Sequence, residues 1–316
     1  MKRIIVNIII LSIFLTGLGV LLYPAVSDYV NKKNASRAIA AYEQSVGEME
    51  EADYTQNLLD AASYNEYIAS FASLGGATTM EEEREDSPYE ELLNVSGTGM
   101  MGSIRIPCIK VECPIYHGTS EAVLQVAVGH YQGSSLPIGG ESTHAILTGH
   151  RGLPSARLFT DLDRLEEGDI FYIKVLGEIL EYQIDQIQTV LPEEVDSLSI
   201  VPGEDYVTLV TCTPYGINSH RMLVRGSRVP YDGGYEEEVA MKPAPVDTDV
   251  PQEQQGNGFS TRQWVLFGAL AFGASIGAGL LIPNKKGRKK ETDGAKAIRK
   301  GADQDGERSK KKDQKE

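Results

Sequence analysis

The amino-acid sequence predicts a mainly β domain, a barrel or a sandwich, between two apolar segments. From Gly102 to Tyr231, about seven or eight short β-type runs follow one another, with turn residues between them and few long helical patterns. A hydrophobic content of 41% is enough for a globular core. Two long runs without a charge stand near the ends of the 316-residue chain. The β-type runs are "GSIRIP", "CPIYHG", "THAILTG", "DIFYIKVL", "ILEYQIDQIQTV", "DYVTLVTC" and "RMLVRGSRVP".

The two apolar runs are each long enough to cross a bilayer. Residues 1–23 contain the first, from Ile4 to Tyr23, behind two basic residues. We expect an uncleaved anchor; a cleaved signal peptide is the alternative, but no small-x-small cleavage site stands out. The second run predicts a transmembrane helix at 264–283, and the basic stretch "NKKGRKK" follows it. A buried core helix is the alternative there, but the absence of any charge in 264–282 argues against it.

The formal charge of −15 is distributed unevenly along the chain. The tail at 284–316 carries thirteen Lys and Arg against seven Asp and Glu, whereas residues 4–283 carry 15 basic and 38 acidic side chains, a net charge of −23. Because basic clusters flank both apolar runs, both termini are expected in the cytoplasm and the acidic middle outside the cell. So acidic a surface repels nucleic acid backbones, and we expect no nucleic acid as partner. The two apolar runs predict a lipid bilayer as partner.

The chain between the anchors divides into four segments. Residues 24–73 are predicted to be helical, because apolar side chains recur at spacings of three and four. Those side chains are Ile39, Tyr42, Val46 and Met49. Residues 74–91 start with glycine and become densely acidic, which is typical of a loop. The β domain spans 92–231, and the Pro-, Gln- and acid-rich stretch at 232–263 is expected to be a linker.

Cys212 is the first candidate for chemistry. It follows the apolar run "YVTLV" and precedes "TPYG", so it stands between a strand and a loop, where scaffolds display nucleophiles. A reactive thiolate needs a nearby cation or base. The candidates are His150, His220, Arg221 and Arg225. Spacing alone does not choose between the two histidines, and a lone cysteine after a strand is more often a small buried hydrophobe.

A zinc site is the competing chemistry for the same residue types. Its ligands would be Cys212, His144, His150 and His220, but no CxxC or HxxxH spacing supports it. The other two cysteines, Cys108 and Cys113, lie five residues apart around "CIKVEC". In one continuous strand they would face opposite ways, so we expect both to stay reduced.

Two motifs together resemble the signature of a known family. "ILTGHRG" at 146–152 and "TLVTCTPYGINSHRMLVRG" at 208–226 look like those of sortases, the membrane-anchored cysteine transpeptidases of Gram-positive bacteria. The stretch from "PIYHGTSEAVLQ" to "LPSARLFTDLD" resembles the class C, pilus-assembling branch. The resemblance implies an eight-stranded β-barrel, which here follows the N-terminal helical segment and lies between the two predicted transmembrane helices. It also implies a catalytic set of Cys212, His150 and Arg221, with no metal or organic cofactor.

The resemblance also implies a reaction. The thiolate of Cys212 attacks the Thr–Gly carbonyl of an LPxTG-type sorting signal, Arg221 stabilises the oxyanion, and His150 moves protons. The acyl group then passes to a lysine amine of a pilin subunit, which polymerises pili. The alternatives are a housekeeping sortase that attaches proteins to cell-wall peptide and a non-catalytic, membrane-tethered adhesion domain.

Class C sortases commonly carry a lid over the nucleophile, an N-terminal loop with an Asp-Pro-aromatic motif. The nearest match here is Asp86, Pro88 and Tyr89, with Ser87 inserted. In the alternative interpretation, Tyr89 belongs to the segment that leads into the barrel. The remaining polar side chains of interest are expected to have structural roles. They are Arg151, Arg225, His117, His130 and His144.

Overall fold

The computed structural model describes residues 2–73 and 88–235. They fall into two units, one with residues 2–19 at the start of the first helix and one from Val20 onward. The apolar run at 264–283, the basic tail and most of the predicted linker lie outside the described residues.

Two helices precede the β domain, α1 at Lys2–Gly47 and α2 at Glu51–Ser73. The sequence placed a boundary between residues 23 and 24 and a continuous helical segment after it. In the structure, α1 instead continues through Pro24, and the helical segment is interrupted after Gly47. Glycine is among the poorest helix formers, which makes Gly47 a natural point of interruption. In the part of the chain that the structure describes, α1 is the one helix long and apolar enough to cross a membrane.

The eight-stranded barrel is confirmed. Its strands are β1 (Met100–Ile106), β2 (Val111–His117), β3 (Val128–His130), β4 (Thr143–Thr148), β5 (Ile170–Val175), β6 (Glu178–Val190), β7 (Asp205–Thr213) and β8 (His220–Val229). They close in the order β1-β2-β3-β4-β7-β8-β6-β5. The pairs β2–β3 and β4–β7 are parallel and the other strand pairs are antiparallel. A four-residue helix, α3 (Glu121–Leu124), lies between β2 and β3.

Strand β7 shows how the barrel separates its two faces. Val207 and Leu209 belong to the main core cluster, whereas Val210 packs in a second cluster with Ile146 of β4 and Leu223 of β8. Because side chains alternate along a strand, Cys212 shares the face of Val210, outside the main core. The sheet therefore presents the cysteine at the end of a partly covered apolar surface that three adjacent strands form.

The two helices attach to the barrel through buried polar contacts. The Tyr42 hydroxyl of α1 donates to Met101 O at 2.8 Å and accepts from the Leu176 N–H at 3.2 Å. Burial raises the pKa of Tyr42 to about 12, so this hydroxyl keeps its proton. In α2, the Asn65 amide bonds both backbone groups of Leu136, at 2.7 and 3.1 Å. These contacts satisfy backbone groups that the barrel strands leave free.

Candidate active site

Three adjacent strands bring Cys212, His150 and Arg221 to one edge of the barrel. Cys212 of β7 lies directly opposite Arg221 of β8 in the antiparallel register. On the other side of β7, Thr148 of β4 lies opposite Val210 in the parallel register, and His150 follows Thr148 by two residues. Cys212 and His150 each lie two residues past the matched pair Val210–Thr148, and Arg221 lies directly opposite Cys212. The three residues therefore form one row at the ends of β4, β7 and β8.

The strand register places the Arg221 side chain beside Cys212. Directly opposed residues in an antiparallel pair share a face, with their Cβ atoms about 4.5–5.5 Å apart. Both side chains are half-buried. Arg221 Nη1 donates to the carbonyls of Asn218 and His220 at 3.3 and 3.2 Å. Within residues 2–73 and 88–235 it forms no ion pair, so no described carboxylate neutralises its charge.

His150 lies in the loop that follows β4, and its ring faces a carboxylate. Its Nε2 is 3.5 Å from Glu121 Oε2 at the start of α3. Glu121 also accepts from Gln125 Nε2 at 2.9 Å, and this bond, together with the charge of His150, lowers the pKa of the carboxyl. Glu121 is a site residue that the sequence did not reveal. It lies 29 positions before the histidine as the single acidic residue of "GTSEAVLQVAVGH", and no spacing links the two.

The turn between β7 and β8 forms one side of the site. Tyr215 and Ile217 at this turn are 62% and 71% exposed. The Tyr215 ring packs on Gly152, where a Cβ would lie 2.6 Å from the ring. Gly152 also has a φ of +82°, so a side chain there is excluded twice, by backbone conformation and by space. The glycine of "TGHRG" thus lets the aromatic turn approach the histidine loop.

The sheet register separates His150 from the other candidate histidine. His220 lies opposite Thr213, one position from the Cys212–Arg221 pair, so it points to the other face of the sheet. Its Nδ1 is 2.9 Å from the Ser219 hydroxyl. This geometry favours His150 over His220 as the partner of Cys212.

The remaining candidates are engaged elsewhere. Arg225 forms a two-point pair with Asp185 at 3.0 and 2.9 Å and stacks on the Tyr206 ring at 4.2 Å. His144 bonds the Thr208 hydroxyl at 2.7 Å and contacts Ser199 O, and burial lowers its pKa. Among the described residues, no group of three or more His, Cys, Asp and Glu side chains could hold a metal ion.

Cys108 and Cys113 are both free thiols at different exposures. Cys108 is exposed in the turn Pro107–Ile109, which separates β1 from β2. Cys113 is buried in β2, and burial raises its pKa to about 12, which keeps it a neutral thiol. Neither lies on β4, β7 or β8, the strands next to Cys212, His150 and Arg221.

The lid prediction names one residue outside the described part of the chain and two within it. Asp86 lies outside the described residues. Pro88 begins the 3-10 turn Pro88–Glu90, and Tyr89 is 1% exposed within the main core cluster. The acidic loop predicted for 74–91 therefore does not include residues 88–91, because burial of the tyrosine ring and hydroxyl folds them onto the barrel. This position fits the alternative in which Tyr89 leads into the barrel.

The Tyr89 hydroxyl completes a buried hydrogen-bond network. His130 Nε2 lies 2.8 Å from Ser135 O, so Nε2 carries the proton and Nδ1 accepts from the Tyr89 hydroxyl at 2.8 Å. The Gly118 N–H donates to the same hydroxyl at 3.0 Å. His130 is 0% exposed, and burial lowers its pKa to about 4. The network is structural and consists of neutral groups.

Comparison with known proteins identifies relatives of this chain. The sortase-domain family model matches residues 104–229. The crystal structure of sortase C1 from Streptococcus agalactiae is 52% identical with a TM-score of 0.58, over 62% of this chain and 100% of that one. The sortase C structure from Streptococcus pneumoniae is 43% identical with a TM-score of 0.53, over 62% of this chain and 97% of that one. Sortase A of Streptococcus agalactiae is 31% identical over 36% of this chain. The match spans about half (47%) of that relative's length.

Proposed function

Because the chain belongs to the sortase family, we propose that it is a cysteine transpeptidase that polymerises pilins. The observation that carries this proposal is the row of His150, Cys212 and Arg221 across three adjacent strands. In this proposal the enzyme cleaves an LPxTG-type sorting signal between Thr and Gly. It then joins the threonine carbonyl to a lysine amine of another subunit.

The first half-reaction forms a thioester on Cys212. The thiolate sulfur attacks the threonine carbonyl, and the carbonyl electrons move to oxygen, which becomes a tetrahedral oxyanion. Arg221 stabilises that oxyanion, because its guanidinium keeps its charge and offers several N–H donors on the same face as the thiol. Its contacts with the Asn218 and His220 carbonyls hold the guanidinium at the end of β8.

His150 supplies and removes the protons. As an imidazolium it protonates the amine of the departing glycine, and the C–N bond breaks. The neutral imidazole then accepts a proton from the lysine amine that attacks the thioester and releases Cys212. Glu121 Oε2, 3.5 Å from Nε2, is placed to hold the ring of His150 in position. Protein side chains thus account for both half-reactions.

A pilin is favoured over cell-wall peptide as the acceptor of the acyl group. The chain is 52% identical to the S. agalactiae sortase C1 over the whole length of that structure, and the similar S. pneumoniae sortase C is described in relation to pilin substrate specificity. The housekeeping alternative is supported by sortase A of S. agalactiae, at 31% identity over 47% of that protein. The greater identity and coverage favour the pilin substrate.

Membrane anchorage completes the proposal. Helix α1 supplies one apolar segment long enough to cross a bilayer. The second apolar run, at 264–283, would provide a second anchor, with both termini in the cytoplasm and the barrel outside. Such tethering holds the enzyme at the surface where secreted, sorting-signal-bearing subunits emerge.

Product analysis distinguishes the two acceptors. The full-length chain in detergent is incubated with an LPxTG peptide and with equal amounts of a folded pilin and a cell-wall stem peptide, and the products are identified by mass spectrometry. We expect an isopeptide bond between threonine and a pilin lysine, absent with Cys212→Ala. Exclusive transfer to the stem peptide would support the housekeeping alternative, and no transfer at all would contradict catalysis.

A further inference from the structure

The loop after β4 is attached to β7 by its backbone on both sides of the histidine. The Gly149 N–H donates to Val210 O at 3.0 Å, and Gly149 O accepts from the Thr211 hydroxyl at 2.7 Å. The Phe159 N–H donates to His150 O at 3.2 Å. These bonds fix the histidine loop against β7 as far as Thr211, one residue short of the nucleophile.

Arg151 continues this attachment past the nucleophile. Its Nη1 donates to the Thr213 hydroxyl at 3.0 Å, and its Nη2 donates to Asp163 Oδ2 at 2.6 Å. Thr213 directly follows Cys212, and Asp163 belongs to the turn Leu162–Arg164. One guanidinium therefore connects the histidine loop, the end of the nucleophile strand and a third segment.

The burial of this guanidinium indicates a role other than stability. The Arg151 side chain is only 10% exposed, and its Nε has no hydrogen-bond partner within the described part of the chain. An unpaired buried N–H costs about 1–3 kcal/mol, and an apolar side chain of similar size often stabilises a fold as well as a buried ion pair. What an apolar side chain cannot do is hold two acceptors on different segments at fixed positions. The planar fork of arginine does so, and the single ammonium of lysine does not.

We infer that Arg151 is a positioning residue, which sets the separation of His150 from Cys212 by joining their two chain segments through Thr213. The role rests on the transpeptidase activity proposed above. Arg151 is adjacent to the histidine and bonds the residue adjacent to the cysteine, so loss of the bond frees both ends of the reacting pair. Displacements of about 1 Å in such a pair slow a reaction by as much as a hundredfold. Arg151 acts through the other residues and does not contact the oxyanion.

Single-turnover acylation tests the role. The full-length chain in detergent is mixed with excess fluorogenic LPxTG peptide, and the maximal acylation rate and the half-saturating peptide concentration are both measured. We expect Arg151→Lys and Thr213→Val each to lower the maximal rate about ten- to a hundredfold. The half-saturating concentration should stay close to that of the wild type, because neither change removes a group that binds the peptide. The double variant should be no slower than the slower single variant, since both changes remove the same hydrogen bond between Arg151 and Thr213.

Arg105→Lys is the matched control. The Arg105 side chain is 8% exposed, forms an ion pair with Glu112, donates to Tyr235 O and also leaves its Nε unpaired within the described residues. It lies on β1, four strands from β7 in either direction around the barrel. We expect it to lower the melting temperature as much as Arg151→Lys does and to leave the acylation rate unchanged.

The outcomes separate this role from the proposed activity. Wild-type acylation rates in both Arg151→Lys and Thr213→Val would overturn the positioning role while the transpeptidase activity stood. Equal slowing by Arg105→Lys would overturn it too, since the effect would then be general destabilisation. A wild-type chain that formed no thioester would contradict the proposed function itself. If Arg151→Lys does not fold, Thr213→Val decides the question, because valine keeps the shape of threonine.

Discussion

Replacement of Tyr89 by phenylalanine tests whether this residue belongs to the core or to a lid. The change removes one oxygen and keeps the ring, which packs edge-on against His117 at 4.9 Å between centroids. It leaves His130 Nδ1, at 2.8 Å from the hydroxyl, and the Gly118 N–H, at 3.0 Å, without that partner. The 3.1 Å contact of the hydroxyl with the carbonyl oxygen of His130 is lost as well.

The expected loss of stability follows from those two groups. Each buried polar group left unpaired costs about 1–3 kcal/mol, and the half-buried Gly118 N–H falls at the lower end because water can reach it. The sum is about 2–4 kcal/mol. With a urea dependence of roughly 2 kcal/mol per molar, the midpoint of unfolding should fall by about 1–2 M.

Urea unfolding followed by circular dichroism measures the midpoint, and thioester formation is measured in parallel. Tyr29→Phe is the control, since the Tyr29 side chain is 66% exposed and its change should leave the midpoint in place. For Tyr89→Phe we expect a lower midpoint and an unchanged acylation rate below it. An unchanged midpoint with faster acylation would refute the core assignment and support the lid.

Three further predictions follow from the buried histidines, the oxyanion partner and the apolar runs. Burial lowers the pKa of His130 to about 4, from a usual value of 6.5. Protonation of this ring therefore favours the unfolded chain, and the free energy of unfolding should fall by about 3 kcal/mol as the pH drops from 6.5 toward 4. His144 shifts in the same direction, and urea midpoints between pH 7.5 and 4.5 should fall less steeply in His130→Gln. Arg221→Ala should slow acylation on the order of a hundredfold, and Arg221→Lys should restore little of it, whereas Arg225→Ala should affect mainly stability; equal rates in stopped-flow acylation would contradict this. Protease added to intact protoplasts should digest residues 24–263 and spare an epitope placed after Lys285; loss of that epitope in sealed cells would contradict two anchors.

Much of the barrel was predictable because most of its strands have a recognisable local pattern of β-type residues. Seven of the eight strands coincide with the β-type runs of the sequence. The exception is β3, three residues in "VGH", which is too short for any periodicity to emerge. Its strand identity comes from its neighbours: it pairs with β2 on one side and β4 on the other. A non-local pairing of this kind has no signature in the segment itself.

The candidate site was predictable only where a motif resembles that of a known family. Motif resemblance named Cys212, His150 and Arg221, and the register now gives a geometric reason to prefer His150 over His220. Glu121 and the bond from Arg151 to Thr213 were not predictable, because both join segments distant in sequence through single side chains. Residue spacing carries no record of such contacts. The ring of Tyr89 was ambiguous in sequence for a further reason, since an aromatic residue next to proline suits a lid and a buried turn alike.

Mapping of the acyl group by mass spectrometry tests the central claim most directly. The full-length chain is trapped with an LPxTG peptide at low pH and digested, for the wild type and for His150→Ala and His220→Ala. We expect the wild type and His220→Ala to carry the peptide acyl group on Cys212, with almost none in His150→Ala at equal folding. An acyl group on any other residue, or equal failure of His220→Ala and His150→Ala, would contradict the site built from Cys212, His150 and Arg221.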